Sequence, residues 1–140
     1  MSSIFRERHA RVVLATDPKV DPALIAGIED ALRSARTNVR LVTPAHDDLA
    51  TWMQVLLPRD ITEADAVVVV RTESVPSRDV SLVADTARVF KTPIYVLHLS
   101  TVSVGIPADG SQTIAAAPTP TDLRELARWA AGLAKSFGPT

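Results

Sequence analysis

The run Ala66-Val67-Val68-Val69-Val70 restricts this chain more than any other stretch. Four consecutive β-branched residues suit a pleated strand better than a helix. No polar residue alternates through them, so the strand needs apolar cover on both faces, the condition of a central strand in a parallel sheet. Parallel neighbours cannot be joined by hairpins, and the rest of the chain must therefore supply crossover helices. It does. Arg11 to Thr16 is a short apolar run closed by Asp17-Pro18 and predicts a strand ending in a turn. Asp21-Pro22 supplies an N-cap with proline at the first helical position, and Leu24, Ile25, Ile28 and Leu32 recur at helical spacing. Val39 to Thr43 predicts a strand that stops at Pro44; Leu49, Trp52, Met53, Leu56 and Leu57 predict a helix that Pro58 interrupts.

Beyond the valine run, Ser77 to Phe90 carries Val80, Val83, Ala84 and Ala87 on one helical face, and Pro93 to Leu99 predicts a strand with proline at its first residue. A fifth strand is expected near Gln112 to Ala116. Thr119-Pro120-Thr121-Asp122 is the capped start of a last helix, whose stripe of Leu123, Leu126, Ala127, Ala130, Leu133, Ala134 and Phe137 runs on to Gly138-Pro139. Strands alternating with helices imply right-handed βαβ crossovers. The expected fold is a doubly wound, flavodoxin-like α/β layout, with a mostly parallel four- or five-stranded sheet and helices on both faces.

At 140 residues one domain is expected, with a flexible N-terminal segment over 1–10 and the α/β domain over 11–138. A net charge of -1 with 22% charged residues speaks against nucleic acid or an anionic membrane as partner. The absence of cysteine excludes a disulfide scaffold, a thiol nucleophile and the usual zinc ligand sets, and the three histidines suggest no metal cluster. Met1 to His9 is polar and mixed in charge where a signal peptide needs an apolar run, and no stretch reaches membrane-spanning length, so a cytoplasmic location is expected.

Open parallel sheets bind ligands beyond the carboxyl ends of their strands, which here means Asp17, the turn from Thr43 to Asp47, Arg71 to Ser77, and Ser100 onward. The first such turn, Asp17-Pro18-Lys19-Val20-Asp21, has no glycine-rich phosphate fingerprint, which argues against a dinucleotide-binding Rossmann domain or a P-loop enzyme. A receiver domain would want an acidic cluster after the first strand and a phosphoacceptor aspartate after the third, where Arg71 and Thr72 stand.

The stretch Ile61-Thr62-Glu63-Ala64-Asp65-Ala66-Val67-Val68-Val69-Val70, then Thr72-Glu73-Ser74, Ser77-Arg78, Ala87 and Pro93-Ile94-Tyr95-Val96-Leu97, resembles the central segment of Toll/interleukin-receptor (TIR) domains of the bacterial type. Trp52, Ile106-Pro107 and the last helix fall where such domains place a tryptophan, a proline-containing loop and their final helix, so the resemblance spans nearly the whole chain. The nucleoside deoxyribosyltransferase-like folds share much of the same pattern. The resemblance implies a signalling module that self-associates or meets another TIR-like protein. In the NAD-cleaving members it also implies a glutamate six residues beyond the serine of the turn and ten before the strand proline. Both counts land on Val83. Glycosidic cleavage builds positive charge on the ribose carbon, which an adjacent carboxylate must stabilise or capture, and valine can do neither.

Two carboxylates are candidates to replace it as catalytic residues. Glu73 lies at the end of the third strand, and Asp79 lies one helical turn before Val83 on the same face, although a first-turn aspartate is also explained by the helix dipole. Asp17, His46, Trp52, Ser77 and Arg78 are the candidate ligand-binding residues. His46 before Asp47-Asp48 either contacts a ligand or belongs to a capped turn; Trp52 either stacks on a base or fills the core; Ser77-Arg78 either closes over a phosphate or caps a helix. His98, between Leu97 and Leu99, reads as a packed or edge histidine. The leading expectation is a TIR-like signalling or scaffold module acting through protein–protein assembly without catalysis and without a cofactor. The alternative is an NAD or nucleoside glycosidic-bond hydrolase, or a nucleotide sensor, with NAD as ligand or substrate and Glu73 or Asp79 as the relocated carboxylate. A third reading is a small-ligand regulatory domain of another doubly wound family.

Overall fold

The valine run lies where its composition demands. In the computed structural model, which describes residues 10–17, 19–35, 37–42, 48–72, 77–99, 108–113 and 119–133, the strands are β1 (Ala10–Thr16), β2 (Thr37–Leu41), β3 (Ala66–Arg71), β4 (Ile94–His98) and β5 (Gly110–Thr113). They form one five-stranded, all-parallel sheet in the order β2-β1-β3-β4-β5, with β3 central and all six of its residues buried. This is the flavodoxin-like order, in which the chain first winds outward to β2 and then crosses back over β1.

Alternation along the strands builds two cores. One face carries Val13, Ala15, Val67, Val69, Ile94 and Val96, covered by α3 (Leu57–Glu63) and α4 (Arg78–Val89); the other carries Val12, Leu14, Val68, Val70, Tyr95 and Leu97, covered by α1 (Pro22–Ser34) and α5 (Pro120–Ala131). The helices begin where their sequence caps them. Asp21 accepts from the Ala23 N–H and Ser77 from the Val80 N–H, while Thr119 and Asp122 form a reciprocal capping box. Each such cap is worth about 1 kcal/mol. On β5, Gly110 lies opposite Tyr95, and a Cβ there would stand 2.6 Å from the Tyr95 ring, so the close approach requires glycine. Tyr95 in turn packs on Trp129, with ring centroids 5.2 Å apart.

Several expected boundaries move. Ala10, expected in the flexible segment, belongs to β1 and is fully buried; residues 1–9 lie outside the described residues. β2 begins at Thr37 rather than Val39, because its partner is the first half of β1, with Ala10 opposite Thr37 and Leu14 opposite Leu41. Pro58 does not interrupt its helix. A short α2 (Leu49–Thr51) runs into a π-helical turn (Trp52–Leu56) and on through α3. The Leu57 N–H reaches back to the Trp52 carbonyl, and this wider turn relieves the clash that a proline ring makes with an α-helical carbonyl four residues earlier. β5 starts at Gly110, two residues before the expected Gln112, and 114–118 lie outside the described residues. α5 spans Pro120–Ala131, and Gly132 and Leu133 form a turn closed on Arg128 and Ala130; Ala134 and Phe137, expected to extend the stripe, lie outside the described residues. Among the described residues no helix is long and apolar enough to cross a membrane.

Candidate functional site

Three adjacent strands end in charged or titratable residues that face the same way. On β1, Val13 and Ala15 point into the α3–α4 core, so Asp17 turns to that face; the same alternation aims Arg71 of β3 and His98 of β4 there. The register places His98 opposite Arg71, and the pairing of Thr16 with Val70 brings Asp17 beside Arg71. The carboxyl edge of the sheet thus carries an aspartate, an arginine and a histidine in a row across its three central strands.

Arg71 has no exposed surface. Burial pulls the pKa of its guanidinium down, and the negative charge of Asp17 pulls it back up. A buried guanidinium costs several kcal/mol unless an opposite charge and hydrogen bonds compensate, and Asp17 supplies that charge. Asp17, 1% exposed, is also bound into the backbone. Its N–H donates to the Val70 carbonyl at 3.0 Å, and its carboxylate accepts from the Thr72 N–H at 2.9 Å and the Ser77 N–H at 3.3 Å. One carboxylate therefore ties the end of β1 to the end of β3 and to the start of α4. It serves as a strand-end staple whose lone pairs are engaged by the fold.

Burial, and then the positive charge of Arg71, hold His98 below its ordinary pKa, so it is neutral at neutral pH. Among the described residues, its buried Nδ1 has no hydrogen-bond partner. Ser77 is the N-cap of α4, and Asp79 lies in the first turn with the Arg78 Nε 3.5 Å from its Oδ1. Both placements match their capping and dipole roles. Trp52, 3% exposed, is packed in the α3–α4 core. Val83 is 1% exposed in that same core. Of the remaining candidates, Glu73 and His46 lie outside the described residues. The structure thus brings Asp17 and Ser77 together, makes Arg78 and Asp79 the next two residues of α4, and puts Trp52 inside.

Arg71 was legible in sequence only as an obstacle to receiver chemistry. The signal for its burial was a charged residue closing an unbroken apolar run, with an aspartate closing the neighbouring run. Among the described residues, the edge presents a neutral imidazole and a cation already matched by a carboxylate.

No described protein family and no curated protein matches the chain. Solved structures do. The receiver domain of a Pseudomonas aeruginosa sensor histidine kinase superposes with a TM-score of 0.59 at 16% identity, covering 89% of this chain and 98% of that one. A 3-dehydroquinate dehydratase-like protein from Bifidobacterium longum superposes with a TM-score of 0.51, also at 16% identity, covering 89% and 97%. The receiver domain holds a magnesium ion in its active site cleft. Among the described residues of this chain, no group of three histidine, cysteine, aspartate or glutamate side chains is placed to hold a metal ion. At such identity the likeness is one of fold, and the fold is flavodoxin-like.

Proposed function

We infer that this chain is a TIR-like signalling or scaffold module of the cytoplasm that works by protein–protein assembly and does not cleave NAD. The observation that carries the reading is the inner face of α4. Val80, Val83, Ala84 and Ala87 are each 2% exposed or less, so the helix faces the sheet with carbon where glycosidic cleavage needs an anion. Asp17, the described carboxylate nearest the strand ends, is held by backbone N–H groups and Arg71, which supports the same reading.

The test is NAD consumption over hours by the concentrated protein beside its Glu73→Gln, Asp79→Asn double variant, with sedimentation of the unliganded chain in parallel. The expected result is no turnover by either protein and concentration-dependent association. Turnover that disappears in the double variant would overturn the reading in favour of a glycosidic-bond hydrolase with a relocated carboxylate.

A further inference from the structure

We propose that the helical run over 49–63 is a two-register element: Pro58 holds it in the register that buries Trp52, and the other register, regular α-helix throughout, exchanges Trp52 for Met53 and presents the indole at the carboxyl edge of the sheet. The π-helical turn and the residues on its two faces carry this, whether or not the chain assembles with a partner.

Leu49, Met53, Leu57 and Ile61 recur at four-residue spacing, the stripe of an unbroken α-helix. The structure follows three of them inward. Leu57 and Ile61 are 1% and 0% exposed, and Leu49 packs, partly buried, against the same core. Met53 breaks the stripe. It is 38% exposed, and its neighbour Trp52, 3% exposed, fills the core in its place. The cause is one extra residue in the turn: the Leu57 N–H reaches the Trp52 carbonyl five positions back, where an α-helix would use the Met53 carbonyl four back.

Taking the extra residue out of the turn rotates the segment before it by about 100° around the helix axis. Met53 then turns inward one turn before Leu57, and Trp52 turns outward. Either side chain can line the core, since an indole covers the larger area and an unbranched thioether adapts to an irregular gap.

Against the regular register stands Pro58. In an α-helix its ring meets the carbonyl of Gln54, four positions back, and the wider turn moves that carbonyl aside. Pro58 and the area buried by Trp52 therefore hold the observed register, while Met53 and unbroken α-helical bonding pull toward the other. An element balanced in this way responds to whatever touches one register alone. The run ends at the amino edge, where Asp65 meets Arg11. At about 1.5 Å per residue it is as long as the seven-residue β1, so its first turn lies at the carboxyl edge. Whatever grips an outward indole there binds only the α register and thereby selects it.

The experiment uses the full chain carrying Trp129→Phe, which leaves Trp52 as its one tryptophan, and reads indole emission and its quenching by acrylamide. With Pro58 in place, emission is expected in the blue and quenching is expected to be weak. Pro58→Ala is expected to move the register equilibrium about a hundredfold toward the α form. The signature is a red-shifted maximum and strong quenching, while circular dichroism keeps its helical signal and thermal unfolding stays cooperative. Adding Met53→Asp puts a charge where the α register needs an apolar residue, and is expected to return the blue, protected emission. Emission that Pro58→Ala leaves unchanged overturns the proposal. So does a red shift that Met53→Asp fails to reverse, or one that comes with loss of the cooperative transition, because unfolding then exposes Trp52.

Discussion

The two ends of the sheet use the same fastening for different ends. At the amino edge, the Asp65 N–H donates to the Arg11 carbonyl and its carboxylate accepts from the Arg11 N–H, clasping β1 to β3. Asp109 repeats the clasp on Ile94, tying the start of β5 to β4. At the carboxyl edge, Asp17 donates to Val70 and accepts from Thr72 in the same manner. There, however, the carboxylate also holds the start of α4 and neutralises a fully buried arginine. An aspartate that closes backbone bonds risks one or two hydrogen bonds when lost. One that also balances a buried charge risks the desolvation of that charge.

The largest effect should therefore follow Asp17→Ala, which leaves Arg71 buried without its counter-charge. Urea unfolding is expected to show a loss of about 3–5 kcal/mol. Adding Arg71→Met should recover much of it, since no buried charge then remains; a double variant no more stable than Asp17→Ala would mean that the pair is not coupled. Asp65→Ala strands the part-buried Arg11 N–H and should cost about 1 kcal/mol in the same assay. If it costs as much as Asp17→Ala, the distinction between the two edges fails.

A change at the amino edge should go the other way. Lys91 follows α4 with φ of 57°, and the Thr92 N–H reaches the Ala87 carbonyl in the closing bond of a Schellman cap. Lysine occupies the left-handed position that glycine fits without strain, so Lys91→Gly should raise stability by about 1 kcal/mol.

The smallest effect is the pH dependence of the carboxyl edge. Because the folded-state pKa of His98 lies below the unfolded one, the unfolded chain takes up the proton first as pH falls. The contribution of His98 is complete above the ordinary histidine pKa of about 6.5, and is lost as pH drops from there to the lower folded value. His98→Gln should flatten the decline in urea midpoint between about pH 7.5 and about pH 5.5. An unchanged slope would show that the edge does not sense the proton at that position.

Much of this architecture is legible in the residues themselves, for reasons that act locally. Asp21-Pro22, Ser77 and Thr119 with Asp122 start helices because capping needs only a side chain two or three positions from the N–H it serves. The valine run announces a central strand because composition alone demands cover on two faces. What escaped the reading depends on a partner far along the chain. The start of β2 is set by β1, and the passage of Pro58 is set by a π-turn whose Trp52 and Leu57 anchor in the core. The candidate site divides in the same way. Its location at the strand ends follows from fold class, but Asp17 and Arg71 are 54 positions apart, and their union depends on two strands pairing in register.

Residue pattern alone sets the alternation of elements, the face each helix buries and the absence of a carboxylate at Val83, because periodicity and side-chain type are properties of neighbours. Strand pairing is what commits Asp17 to the backbone and to Arg71, makes Trp52 interior, and leaves β2 at the margin of the sheet. Those outcomes arise from which strands adjoin, and strand adjacency is a long-range balance of burial and backbone pairing that no local window contains.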